Sequence, residues 1–121
     1  MKKVKVLRNF THISDEMRIE LARNVVSKMT GNPLFATPDL PLADFTSKAD
    51  NLEQKFIAAM RGGDVETAEL RVARLDIIDA FDTEAMYVDR IAKGDELVVL
   101  SSGFFTTKQP NPKRLWELIV K

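Results

Sequence analysis

The stretch Asp64 to Ala92, DVETAELRVARLDIIDAFDTEAMYVDRIA, decides the fold. It contains no glycine or proline, and Gly62-Gly63 and Gly94 stand just outside it. At about 100° per residue, Leu70, Ala73, Ile77, Phe81, Ala85, Val88 and Ala92 fall in one stripe about 120° wide, as in a helix facing a core. Most of its charges, including Asp76, Asp79, Asp82 and Asp89, lie on the other side. The first half carries a second apolar stripe, Val65, Ala68, Val72 and Leu75, roughly opposite the first. The pattern predicts one long amphipathic helix, covered on two faces at its start and on one face at its end. Period-two alternation is not sustained anywhere in it, so a strand reading fails.

Upstream, Leu42, Phe45, Ala49, Leu52, Phe56 and Ala59 recur at alternating steps of three and four, a heptad seam. The seam is too short for an autonomous coiled coil and suits one helix of an antiparallel bundle. Pro41 fits its first position, where a missing N–H costs nothing. Gly62-Gly63 forces the two helices to turn back on each other, with Asp64 as N-cap of the second. Further upstream, Ser14 reads as an N-cap, with Asp15 and Glu16 in the first turn and Ile13 placed for a hydrophobic staple. Met17, Leu21, Ala22, Val25, Val26 and Met29 form the inward side, and Gly31-Asn32-Pro33 ends that helix. Methionines at this spacing read as core filling. Leu34 to Leu40 reads as a loop.

The two ends are expected to pack on this frame. Val4 and Val6 alternate with Lys3 and Lys5, which suggests a short extended segment with its apolar side on the core. Pairing of the basic leader, Lys2, Lys3, Lys5 and Arg8, with the acidic long helix is a plausible internal contact. His12 follows in a loop and reads as a surface residue. After Gly94, Leu97 to Leu100 reads as a short fourth helix capped by Gly103, with a strand as the alternative. Phe104, Phe105 and Leu115 to Val120, with Trp116 among them, are too apolar to leave in water. They are expected to dock, as helix or strand. The chain thus reads as all-α: an antiparallel bundle of three main helices near 14–30, 41–61 and 64–92 plus the short fourth. It is one domain, with an extended leader at 1–13, the bundle at 14–103 and an aromatic tail at 104–121.

Chemistry is mostly excluded by residue type. With 121 residues, 45% of them hydrophobic and 30% charged, the chain has the composition of an ordinary globular domain. Eighteen basic and eighteen acidic residues cancel, so no whole-molecule field favours nucleic acid or anionic lipid. No apolar run is long enough to span a membrane, and MKKVKVLRNF lacks the apolar core of a signal peptide, which leaves cytoplasm as the default expectation. Absent cysteines remove thiolate chemistry and disulfides. One histidine cannot supply a Glu-x-x-His pair or a zinc site. Asp76, Asp79 and Asp82 lack the spacing of a calcium loop and read as a solvated face. No catalytic, metal or cofactor-binding residue is assigned, and no cofactor is expected.

Asn24-Val25-Val26, Lys28-Met29-Thr30-Gly31-Asn32-Pro33 and Pro41-Leu42-Ala43-Asp44 carry a resemblance that continues through Tyr87-Val88, Gly94-Asp95-Glu96, Leu100-Ser101-Ser102-Gly103-Phe104 and Thr107-Lys108. Together they resemble the helical N-terminal module of small bacterial proteins in which a fibronectin type III domain often follows. That resemblance implies a helical bundle with no established activity and no site to carry over. The chain departs from the pattern after Pro110, where the β-sandwich is missing. Two function classes remain. One is a non-catalytic structural or interaction module that meets a protein partner or a second copy. Its candidate surface is Val65, Ala68, Val72, Leu75, Phe104, Phe105 and Trp116. The other is a small-molecule binder or enzyme built on Arg71, Arg74, Asp76 and Asp79.

Overall fold

A computed structural model describes residues 4–107 of the chain. Four helices follow in order: α1 (Asp15–Met29), α2 (Leu42–Arg61), α3 (Asp64–Ala92) and α4 (Glu96–Ser101), with a 3-10 turn at Pro33–Phe35. The described residues contain no strand, only an isolated antiparallel bridge between Val6 and Thr106. The all-α bundle expected from the hydrophobic spacing is the architecture found. Helix ends fall within a residue of expectation, with small corrections. Pro41 is the N-cap of α2, and Gly63 rather than Asp64 is the N-cap of α3. The Gly63 N–H donates to Glu66 Oε2 at 3.1 Å, tying the first turn of α3 to its cap. Ser14 caps α1 as expected, its Oγ accepting the Met17 N–H.

The α2 and α3 helices form an antiparallel hairpin, stitched along one flank by Lys55–Glu69 at 2.7 Å and Lys48–Asp76 at 3.1 Å. All seven residues of the first α3 stripe, from Leu70 to Ala92, are buried. Phe45, Ala49 and Leu52 of the α2 seam are buried as well. The α1 helix lies across α2, where Arg23 reaches both Asp50 and Glu53. Its second half, at Asn24 and Val25, is held close to the segment after α4 by Gly103. There φ is +93°, and a Cβ would stand 2.9 Å from both the Asn24 carbonyl oxygen and the Val25 Cα. Glycine alone permits that approach, which lets Asn24 Nδ2 donate to the Gly103 carbonyl at 2.9 Å.

The N-terminal segment runs extended, with Val4 and Val6 buried and Lys5 exposed between them. The Val4 N–H donates to the Gly94 carbonyl and the Val6 N–H to Asp89 Oδ1. Arg8 pairs with the same Asp89 at 3.2 Å, an ion pair between the basic leader and the long helix. Phe10 then stacks on Phe81, centroids 4.7 Å apart. Phe45 and Phe104 meet Phe81 edge-on, at 5.4 Å and 6.3 Å. Four rings from four separate segments thus close around the middle of α3.

Among the described residues, coverage of α3 is the reverse of that expected. Its C-terminal half is buried on most sides, through Ala80, Phe81, Glu84, Ala85, Tyr87 and Val88. Its N-terminal half is covered on one side alone. The cause is routing. The N-terminal segment, the 3-10 turn, α4 and Phe104 all converge on the second half, and α1 leaves the hairpin tip bare.

Candidate interaction surface

The tip of the α2–α3 hairpin has two layers where the rest of the molecule has three. Buried residues on α2 end at Leu52 and on α3 begin at Leu70; no residue from 53 to 69 is buried. On this tip and just below it, Val65 and Val72 are each 68% exposed and Leu75 is 62% exposed. Ala68 is exposed between them, and Ile57 and Met60 of α2 are exposed nearby in the chain. Val65, Ala68, Val72 and Leu75 keep steps of three, four and three, so they form one seam along the helix. On its flanks stand Arg71 on one side and Glu69 and Asp76 on the other. The rows then continue into Asp79 and Asp82, which end the apolar patch.

Of the candidate aromatic residues, Phe104 and Phe105 do not join this seam. Phe104 is only 1% exposed and belongs to the core cluster around Phe81, so it is corrected from interaction surface to core. Phe105 is half-buried, and its carbonyl accepts the Leu7 N–H at 2.8 Å. Trp116 lies outside the described residues. The N-terminal segment cannot cover the seam either. It descends α3 from Gly94 past Asp89 and Phe81, then turns into α1 where Asp15 meets Arg74.

Nor does the alternative Arg/carboxylate set converge. Arg74 is bound by Asp15, through Nε at 2.8 Å and Nη2 at 2.7 Å. Asp76 is paired with Lys48, on the opposite flank of the helix. Among the described residues Arg71 and Asp79 make no ion pair, and no group of three or more His, Cys, Asp or Glu side chains is placed to hold a metal. No helix there is long and apolar enough to cross a membrane.

Two charged features escaped the sequence reading. The first is Asp15, whose carboxylate receives Arg18 Nη1 at 2.6 Å as well as Arg74. Burial raises its pKa, and the bonds and charges of Arg74 and Arg18 together outweigh that, leaving it below the ordinary value. The second is Glu84, fully buried on α3 where the Leu40 N–H meets its carboxyl. Burial lifts its carboxyl to about 7; the hydrogen bond from the Leu40 N–H works against that rise and the charge of Asp39 adds to it. A signal existed for both. Asp15, Arg18, Ala22, Val25 and Met29 keep steps of three and four, and Glu84 continues the row Ile77, Phe81, Val88. Comparison of the chain with models of known protein families, with characterised proteins and with solved structures finds no match.

Proposed function

We propose that the protein is a non-catalytic interaction module whose α3 seam docks the apolar face of a helix from a protein partner. The observation that carries this reading is the bare hairpin tip, where a heptad-spaced apolar row stands exposed beside a fully packed core. Heptad spacing is what a second helix engages by knobs-into-holes packing. Charge placement favours a different helix over a second copy. An antiparallel self-contact would set Arg71 against Arg71 and Glu69 against Glu69 near the two-fold axis. A parallel one would bring Arg71 toward Asp76 but Asp64 toward Glu69 and Asp79 toward Asp79. Like charges at such positions disfavour pairing. A partner with basic flanks meets Asp79 and Asp82 instead, the carboxylates of Glu69 and Asp76 being paired already with Lys55 and Lys48.

Leu75→Glu tests it. The expected unfolding free energy stays within about 0.5 kcal/mol of the parent, because the side chain already faces water. A synthetic probe helix of about three heptads, with leucine seam positions and lysine flanks, should shift the amide resonances of Val65, Ala68, Val72 and Leu75 in the full chain. The substitution should abolish those shifts. A parent dimer that Leu75→Glu separates into folded monomers would reassign the seam to a second copy. Marked destabilisation would show that the chain itself covers the seam, and the proposal would fail.

A further inference from the structure

Between Phe35 and α2 the chain crosses the second half of α3 as a strap held at three points. The ring of Phe35 is buried, 6.0 Å from that of Tyr87. Arg90 Nη2 donates to Asp39 Oδ2 at 2.5 Å on the exposed side. The Leu40 N–H donates to Glu84 Oε1 at 2.9 Å on the inner side. Glu84 Oε2 is buried with no hydrogen-bond partner. A carboxyl group with one oxygen unmet in a core is tolerated when neutral and costly when ionised.

The charged neighbours do not relieve it. Asp39, on the strap, repels the anion. Arg90, on α3 itself, is drawn out to Asp39. Asp44, in the first turn of α2, carries the wrong sign. Among the described residues no cation forms an ion pair with Glu84. The N-terminus of α2 begins just past Leu40 and supplies only the partial positive charge of a helix end. Water would relieve the anion, and the strap is what keeps water out.

We propose that Glu84 and residues 36–40 form a protonation-controlled latch, closed over α3 while Glu84 is neutral and released when it ionises. Release hydrates the carboxylate and uncovers Phe35 and Tyr87, an aromatic surface separate from the hairpin tip. The closed form holds a proton that the open form gives up once the pH exceeds the acid's ordinary value of 4.5. Up to about 7, where the closed form also ionises, the closed-to-open ratio therefore falls by up to about tenfold per pH unit, and it levels off beyond.

Amide hydrogen exchange of the full chain, corrected for intrinsic rates, reads this ratio residue by residue. Between about pH 5 and about pH 7, protection at Leu40 should fall on the order of tenfold per unit. Ile77, in the buried α3 row, should remain at least about tenfold better protected throughout. In Glu84→Gln the Leu40 protection should be flat with pH. Should that variant fold poorly, Asp39→Asn provides the second arm: with its repelling charge gone, the carboxyl resonance of Glu84 should titrate at lower pH than in the parent. Flat protection at Leu40 in the parent overturns the latch. So does convergence of Leu40 and Ile77 on one value, which would mean that the acid acts only on global unfolding. A Glu84 carboxyl titrating at an ordinary value, or unmoved by Asp39→Asn, has the same consequence.

Discussion

Alanine in place of Phe81 is expected to lower the unfolding free energy by about 3–5 kcal/mol, the range for emptying a fully buried aromatic site. Phe81 has no exposed surface. Its ring touches Phe10 from the N-terminal segment, Phe45 from α2 and Phe104 from the segment after α4. Each of those rings is anchored by a different backbone, so they cannot close together on the cavity, which places the cost toward the upper part of that range. The loss should also be unevenly distributed. The Val6–Thr106 bridge depends on Phe10 and Phe104 being seated on α3. Its amides should therefore lose protection before those of α2 do. Urea denaturation of Phe81→Ala beside Met60→Ala makes the comparison, since Met60 is 67% exposed and its truncation should cost within about 0.5 kcal/mol. A Phe81→Ala loss no larger than that of Met60→Ala would mean that the ring cluster is not what seats the two ends.

The difference between those two positions shows which part of the fold is written in local spacing. Periodicity reports the angle of a residue about its own helix, and for α3 it placed every member of the Leu70–Ala92 stripe inside. The heptad seam of α2 and the inward valines of the leader follow from the same kind of pattern, whereas for Glu96–Ser101, where spacing left a strand open, the structure shows a helix. Which other segment arrives at a given face is a long-range matter. Val65, Val72 and Phe104 are all apolar, yet the first two face water and the third is core, because the chain entry at Val4 and the turn at Gly103 both deliver their segments to the far half of α3. Residue type hides the burial of Glu84, Asp15 and Arg18. They occupy inward steps of their helices, but charged side chains are read as surface unless a partner can be seen. Leu40 and Arg74, the partners of Glu84 and Asp15, lie far along the chain, while Asp15 and Arg18 are only three residues apart. The seam itself was legible as a row. That it would be bare, and that Phe104 would belong to the core instead of joining it, were not.

Removing the Asp15 carboxylate should be as costly as emptying the Phe81 site, for an electrostatic reason. Arg18 has a side chain only 5% exposed, and it is held by two acceptors, the Asp15 carboxylate and the Phe10 carbonyl at 2.7 Å. Arg74 binds the other side of Asp15 from the rim, where its side chain is 36% exposed and can turn to water. In Asp15→Ala the Arg18 guanidinium is left charged in the core with one neutral acceptor, a change that costs about 3–5 kcal/mol for a broken buried pair. The pH dependence has a definite sign. The folded pKa of Asp15 lies below its ordinary value of 3.8, so its stabilisation is complete above that value and is lost as pH falls through the folded one. Parent and Asp15→Ala should therefore differ by the full amount at neutral pH and approach each other in strong acid. If the penalty comes from the stranded cation and not from lost packing, Asp15→Ala with Arg18→Met should recover most of the stability, because an apolar chain of similar length needs no counter-charge. A double variant as unstable as the single one, or a gap that persists unchanged into acid, would place the cost in the α1 N-terminal turn, where Asp15 also faces the helix dipole.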